Sequence, residues 1–167
     1  WPSFGETFAG KPYIQAQQLR SWGISEWTWA QWAPVVARYF GTISLLDAQV
    51  GRVLAELDRL GLAENTVVIF SADHGDMCGA HRMIDKHYIL YDDVVRVPLI
   101  IRWPGVTQPG TVCGAFVTHA LDLAATFVAM AGQVQPMGFA GQDLRPLLEG
   151  GADNGRSDIF ASYHGNQ

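Results

Sequence analysis

Thr66-Val67-Val68-Ile69-Phe70-Ser71-Ala72-Asp73-His74-Gly75 joins an unbroken apolar run to a polar turn. A β-branched and aromatic run without polar alternation predicts a strand covered on both faces, as inside a parallel sheet. Asp73 and His74 stand where that strand emerges. Gly75 gives the backbone room to turn sharply after them. In open α/β sheets, ligands gather off the carboxyl ends of the strands, so a site is expected just after Phe70.

The flanking sequence supports such a sheet. Upstream, Tyr39, Ile43, Leu46, Val50, Val53, Leu57 and Leu60 recur every three or four residues, which predicts a helix from Pro34 to Gly61 with one apolar stripe. Gly61 suits the left-handed position that closes such a helix. Downstream, Val97-Pro98-Leu99-Ile100-Ile101 predicts a second strand, ended by Trp103-Pro104-Gly105. Pro98 is tolerable at a strand's first positions. Val112 to Val117 predicts a third strand, Leu121 to Ala131 a helix closed by Gly132, and Asp158 to Tyr163 a last strand. Helices alternating with buried strands predict an α/β sheet flanked by helices. Residues 35–167 form that α/β portion, and residues 1–34, rich in Gly, Pro and Trp, form a loop-rich aromatic segment packed on it.

Composition narrows the function. Of 167 residues, 49% are hydrophobic and 16% charged, which argues for a buried core and against a disordered tail. The net charge is -5 and no basic run exceeds two residues, so nucleic-acid binding through a basic face is not expected. A compact anionic substrate is compatible, because one local cation could hold it. No apolar run approaches the roughly 20 residues of a membrane span. Cys78 and Cys113 form no CxxC pair, so a zinc knuckle or a thioredoxin-type site has no support, and two cysteines this far apart do not fix a compartment. The chain starts Trp1-Pro2-Ser3, without Met and without a visible signal peptide, and reads as an excised or incomplete chain.

Titratable residues cluster densely only in Ser71 to Arg96, SADHGDMCGAHRMIDKHYILYDDVVR. A carboxylate from Asp73 suits a hard divalent cation such as calcium or magnesium. The imidazole of His74 beside it also permits manganese or zinc. The plain alternative is a turn aspartate next to a surface histidine. Lys86 lies thirteen residues after Asp73, within reach of a loop that folds back over the strand end. Its ammonium could bind a sulfate or phosphate oxygen and offset transition-state charge, although most lysines are simply solvated. His81 and His87 are candidates for proton transfer or for supporting the site's groups, with structural roles as the alternative. Asp76, Asp85, Asp92 and Asp93 read as caps, turn formers or solvated charges, and Arg96 could pair with one of them.

Tyr39 to Asp47, Val50 to Leu54, Asn65 to Gly75, Lys86, Arg96 to Ile101 and Trp103-Pro104-Gly105 occur in one order. Leu121-Asp122-Leu123 with Thr126, and Gly141-Gln142-Asp143-Leu144, continue it. In that order and spacing the sequence resembles the sulfatases of the alkaline phosphatase superfamily. The resemblance implies an alkaline-phosphatase-like, mixed but mostly parallel sheet flanked by helices. It implies hydrolysis of sulfate esters with one divalent cation, usually calcium, with magnesium or manganese as alternatives. It also implies a formylglycine nucleophile made by oxidising a cysteine or serine. Asp73 and His74 would be metal ligands, Lys86 would contact the sulfate and its leaving oxygen, and His81 would be a further catalytic candidate without a firm role. The substrate would be a sulfated small molecule or sulfated carbohydrate.

The departures are as informative. The family's Cys-x-Pro-x-Arg stretch has no counterpart around Cys78 or Cys113, and the family's amino-terminal aspartate pair and middle histidine have none either. The chain is therefore expected to be the carboxyl-side portion of a catalytic domain, inactive alone. It is also expected to associate with the missing amino-terminal portion or with itself. Two rival readings accompany it. A phosphonate monoester hydrolase or phosphodiesterase of the same superfamily suits the Asp73, His74 and Lys86 spacing equally. A carbohydrate-binding or interaction module would use Trp22, Trp27, Trp29 and Trp32, although tryptophans at such mixed spacing more often serve as packing.

Overall fold

The computed structural model describes residues 1–151 and 155–162. Helices and strands follow the order α1 (Tyr13–Ser21), α2 (Trp29–Arg59), β1 (Val68–Ser71), α3 (Asp92–Val95), β2 (Leu99–Arg102), α4 (His119–Met130) and α5 (Arg145–Leu148). The chain divides into two compact units. Of the described residues, the first holds 1–63, 74–97 and 161–162; the second holds 64–73, 98–151 and 155–160.

In the first unit, α2 begins at Trp29 and not at Pro34. The Thr28 N–H donates to Gln31 Oε1 at 2.9 Å, half of a capping box that starts the helix early. Trp32 is fully buried and Val36 nearly so, and their burial holds the first turns around Pro34. Pro34 itself costs the helix one backbone bond there. Trp32 and Val36 pack with Ile24 and Cys78 against Phe4, Trp27, Val35 and Ile84. A second cluster joins Leu19 of α1 to Met77, Ala80, Met83, Ile89 and Val94, with Phe8 and Tyr91 alongside. The segment from Met77 to Val94 has little regular structure, yet it supplies six of the ten buried residues in these two clusters. Past Val36 the predicted stripe of α2 is open: Tyr39, Ile43, Leu46, Val53 and Leu60 are 39–62% exposed.

The second unit carries the sheet. β1 and β2 pair antiparallel, with Val68 opposite Arg102 and Ser71 opposite Leu99. This corrects one sequence expectation: β1 is not covered on both faces but only half-buried, with Phe70 at 37% and its partner Ile100 at 64% exposure; an antiparallel pair is compatible with the mixed sheet expected. Phe70 and Ile100 share one face of a two-stranded ribbon, and no described layer covers it. Val112 to Val117 forms no strand; its backbone is irregular and Val112 is almost fully exposed. Residues 158–162 are likewise irregular, and Tyr163 lies outside the described residues. The helix predicted from Leu121 is present as α4. Gly132 follows it with φ 67°, the left-handed turn that glycine adopts without strain.

The packing of this unit centres on one carboxylate. Asp122 in α4 is fully buried. Its oxygens accept from the backbone N–H of Thr118 at 2.7 Å and of Gln142 at 2.9 Å. Arg156 donates to both, at 2.5 and 3.1 Å. One turn on, Thr126 Oγ1 accepts from the Leu144 N–H at 2.9 Å. The two sequence stretches around Asp122 and Gly141 are thus one tied structure. A side chain at position 141 would meet the Leu121 carbonyl at 2.1 Å, so this approach requires glycine.

Candidate functional site

His74 and Lys86 are brought together. Lys86 Nζ contacts His74 Nε2 across the turns between them. His74 Nδ1 lies 2.8 Å from the Gly75 carbonyl. A carbonyl can only accept, so Nδ1 carries the proton and Nε2 presents its lone pair. Lys86, which can only donate, meets that lone pair. The same lone pair is the one an imidazole offers a metal, with the Nδ1–H bond holding the ring in the required tautomer. Asp73 precedes His74 directly in the chain, and both Asp73 and Lys86 are exposed. Among the described residues no three His, Cys, Asp or Glu side chains come together as a metal site.

Gly75 is required for a reason other than turn freedom. A Cβ there would lie 1.8 Å from the Asp93 carbonyl oxygen. The Gly75 N–H donates to the Val94 carbonyl at 2.8 Å, so α3 lies directly on the residue after His74. On the far side of the turn, the Met77 N–H donates to the Asp85 carbonyl at 3.1 Å. Asp76 Oδ1 accepts from the Cys78 N–H at 2.7 Å and Asp85 Oδ1 from the Lys86 N–H at 2.8 Å, both local turn formers. Asp85 and Tyr88, on either side of Lys86, have φ of 64° and 62°. Left-handed backbone at a bulky residue is strained and persists only where packing enforces it.

His81 is placed in a network of its own. Its Nδ1 contacts Glu6 Oε1, its Nε2 is 3.9 Å from Asp93 Oδ2, and its ring stacks on Tyr91 with centroids 3.9 Å apart. Lys11 bridges Glu6 Oε2 at 2.8 Å and the Tyr91 hydroxyl at 3.1 Å. Burial pushes the Glu6 carboxyl up, but bonding to Lys11 and His81 outweighs it and holds the group below its usual value. His87 lies outside this network, paired with Asp85 at 2.9 Å and beside the Trp22 ring. Glu6, Lys11 and Tyr91 carry no sequence signal. Glu6 lies 75 residues from His81 in the chain, and no local motif announces such a pairing.

The tryptophans divide. Trp32 is buried against Trp27, edge to face at 5.5 Å, whereas Trp22 and Trp29 are each 46% exposed. Both cysteines are free, Cys78 buried and Cys113 exposed. Burial, and secondarily the charge of Asp76, pushes the Cys78 thiol up. No helix among the described residues is long and apolar enough to cross a membrane.

The sulfatase family model matches residues 4–133. The chain belongs to the sulfatase family. The match takes in the whole stretch that carries His74, His81 and Lys86. Among relatives of this sulfatase chain, an N-acetylglucosamine-6-O-sulfatase of Bacteroides thetaiotaomicron is 31% identical over 131 residues, 78% of this chain and 23% of that protein. Among solved structures, a 2-O GAG sulfatase aligns with TM-score 0.77 at 30% identity, over 87% of this chain and 32% of the other. A phosphonate monoester hydrolase of Agrobacterium radiobacter aligns with TM-score 0.72 at 35% identity, over 78% and 26%. These neighbours carry the alkaline-phosphatase-like α/β fold expected from the sequence, of which this chain presents a part with a small sheet. The chain spans about a quarter of the length of the curated sulfatases it matches.

Proposed function

We propose that the full-length protein hydrolyses sulfate esters and that this chain supplies the cation-side and sulfate-side groups of the site. The observation that carries the proposal is that Lys86 Nζ is brought to His74 Nε2 inside the family-matched stretch; a cation taking that lone pair would free the ammonium for sulfate. Lys86 is the group for a sulfate oxygen: an ammonium can donate to the negative charge that grows on the oxygens as the ester bond breaks. His74, through its Nε2 lone pair, and Asp73 are the groups for a divalent cation, calcium by family resemblance, with magnesium and manganese also compatible with such donors. The donor set fits in kind but is short in number, and further ligands would have to come from other parts of the full-length protein. A bound cation would lower the pKa of the nucleophile and polarise the sulfate oxygens. The nucleophile itself, formylglycine by family resemblance, would also come from outside these residues.

Sulfated carbohydrates are the favoured substrates, because relatives named for such chemistry cover most of the chain. The test is turnover of an aryl sulfate by the full-length protein with calcium supplied. Lys86→Ala should cut kcat/KM about a hundredfold or more, the usual loss when one oxyanion-stabilising group is removed. Unchanged turnover in that variant would refute the role given to Lys86. The second reading, phosphonate monoester hydrolysis, is favoured by the 35% identity to the Agrobacterium radiobacter enzyme. Faster turnover of an aryl phosphonate than of an aryl sulfate would select it.

A further inference from the structure

We propose that Glu6 is a positioning residue, which through His81 fixes the turn that presents His74 and Lys86. The inference rests on the role given to those two groups above. Its support is a continuous run of contacts within the first unit. Glu6 Oε1 meets His81 Nδ1 while Lys11 holds Glu6 Oε2 at 2.8 Å, so both carboxylate oxygens are committed. The backbone of the same segment is engaged as well. Arg82 spans the Glu6 and Ser25 carbonyls at 3.3 and 3.2 Å. Ser3 Oγ accepts from the His81 N–H at 3.0 Å, and the Trp1 indole N–H donates to the Cys78 carbonyl at 2.8 Å.

These contacts oppose a backbone cost. His81 and Arg82 are successive non-glycine residues in the left-handed region, at φ 53° and 58°. Each such residue is unfavourable in isolation and needs surrounding structure to hold it. Glu6 and Ser3 bind the first of them and the Glu6 carbonyl binds the second. From His81 the contacts continue toward the site. Its ring stacks on Tyr91 with Nδ1 held by Glu6, and Asp93 Oδ2 lies 3.9 Å from its other nitrogen. Asp93 and Val94 in turn lie against Gly75, the neighbour of His74. In the other direction, Gly79 donates to the Met83 carbonyl at 2.9 Å and Met77 to that of Asp85, the residue before Lys86. Glu6 therefore acts through His81 on both arms of the turn.

The experiment compares Glu6→Ala and Glu6→Gln with the unaltered full-length protein, by amide hydrogen exchange and by the His74 ring signal in NMR. Glu6→Ala should speed exchange at Met77, Gly79, Arg82 and Met83 about tenfold or more, the loss expected for one charge-assisted bond. It should also shift the His74 signal, while exchange in α2 stays unchanged. Glu6→Gln keeps an acceptor for His81 and should restore much of both. Turnover should fall through kcat more than through KM. An unmoved His74 signal, or exchange that rises equally throughout α2, would overturn the proposal. If the unaltered protein turns over no sulfate ester yet the exchange pattern appears, the sulfatase reading fails and the positioning role stands.

Discussion

At the scale of single residues, the turn after β1 is governed by close approach. Gly75 has no room for a methyl group, because the Asp93 carbonyl would be 1.8 Å from it. Gly75→Ala should therefore displace α3 from the turn and destabilise the first unit by roughly 3 kcal/mol, within the range for overpacking a tight site. Thermal unfolding followed by circular dichroism will check this, and a melting temperature unchanged from the unaltered protein would count against it. The approach of Lys86 to His74 is legible in the sequence because both fall in one polar stretch that follows an apolar run. The Glu6–His81 pairing is not, because its partners are brought together by tertiary packing of two segments that share no periodicity. His81 is legible as unusual, but its sequence neighbours cannot tell a proton donor from a clamp.

At the scale of elements, α4 depends on Asp122 as much as on its apolar residues. Burial pushes the Asp122 carboxyl up, but the Arg156 guanidinium and the backbone N–H groups of Gln142 and Thr118 outweigh it, leaving the group below its usual value. A carboxyl depressed in the folded state stabilises above its unfolded value, about pH 4, and that stability is lost as pH falls through the folded value. The second unit should thus loosen in acid below about pH 4. Asp122→Asn should remove this pH dependence and cost roughly 3 kcal/mol at neutral pH by leaving Arg156 without its charge partner. Melting curves at pH 3 and pH 7 for both proteins provide the measurement. α2 and α4 are readable from their 3.6-residue periodicity and glycine caps. The early start of α2 is not, because it depends on a capping interaction at Thr28 and on the burial of Trp32. The strands are the weakest: an apolar run predicts a strand but not the direction of its neighbour, which is set by chain connectivity.

At the scale of the whole molecule, two apolar surfaces are exposed beyond what a settled monomer usually shows: the stripe of α2 from Tyr39 to Leu60, and the Phe70–Ile100 face of the sheet. Produced by itself, this chain should bind a hydrophobic dye and self-associate in light scattering. Ile43→Glu combined with Leu46→Glu, both on the α2 stripe, should reduce association at least severalfold without lowering helix content. A monodisperse monomer that binds no dye would contradict the expectation. In the family's complete domains, a further two thirds or more of the chain is available to cover such faces.

The two thiols differ in a way that is useful at the bench. Cys78 is packed with Trp32 and held protonated by its surroundings, whereas Cys113 stands open. Thiolate, not thiol, reacts with alkylating agents. A maleimide chromophore at neutral pH should therefore attach at position 113 alone, giving a single optical handle without engineering, and any slow second labelling would time the opening of the core around Trp32.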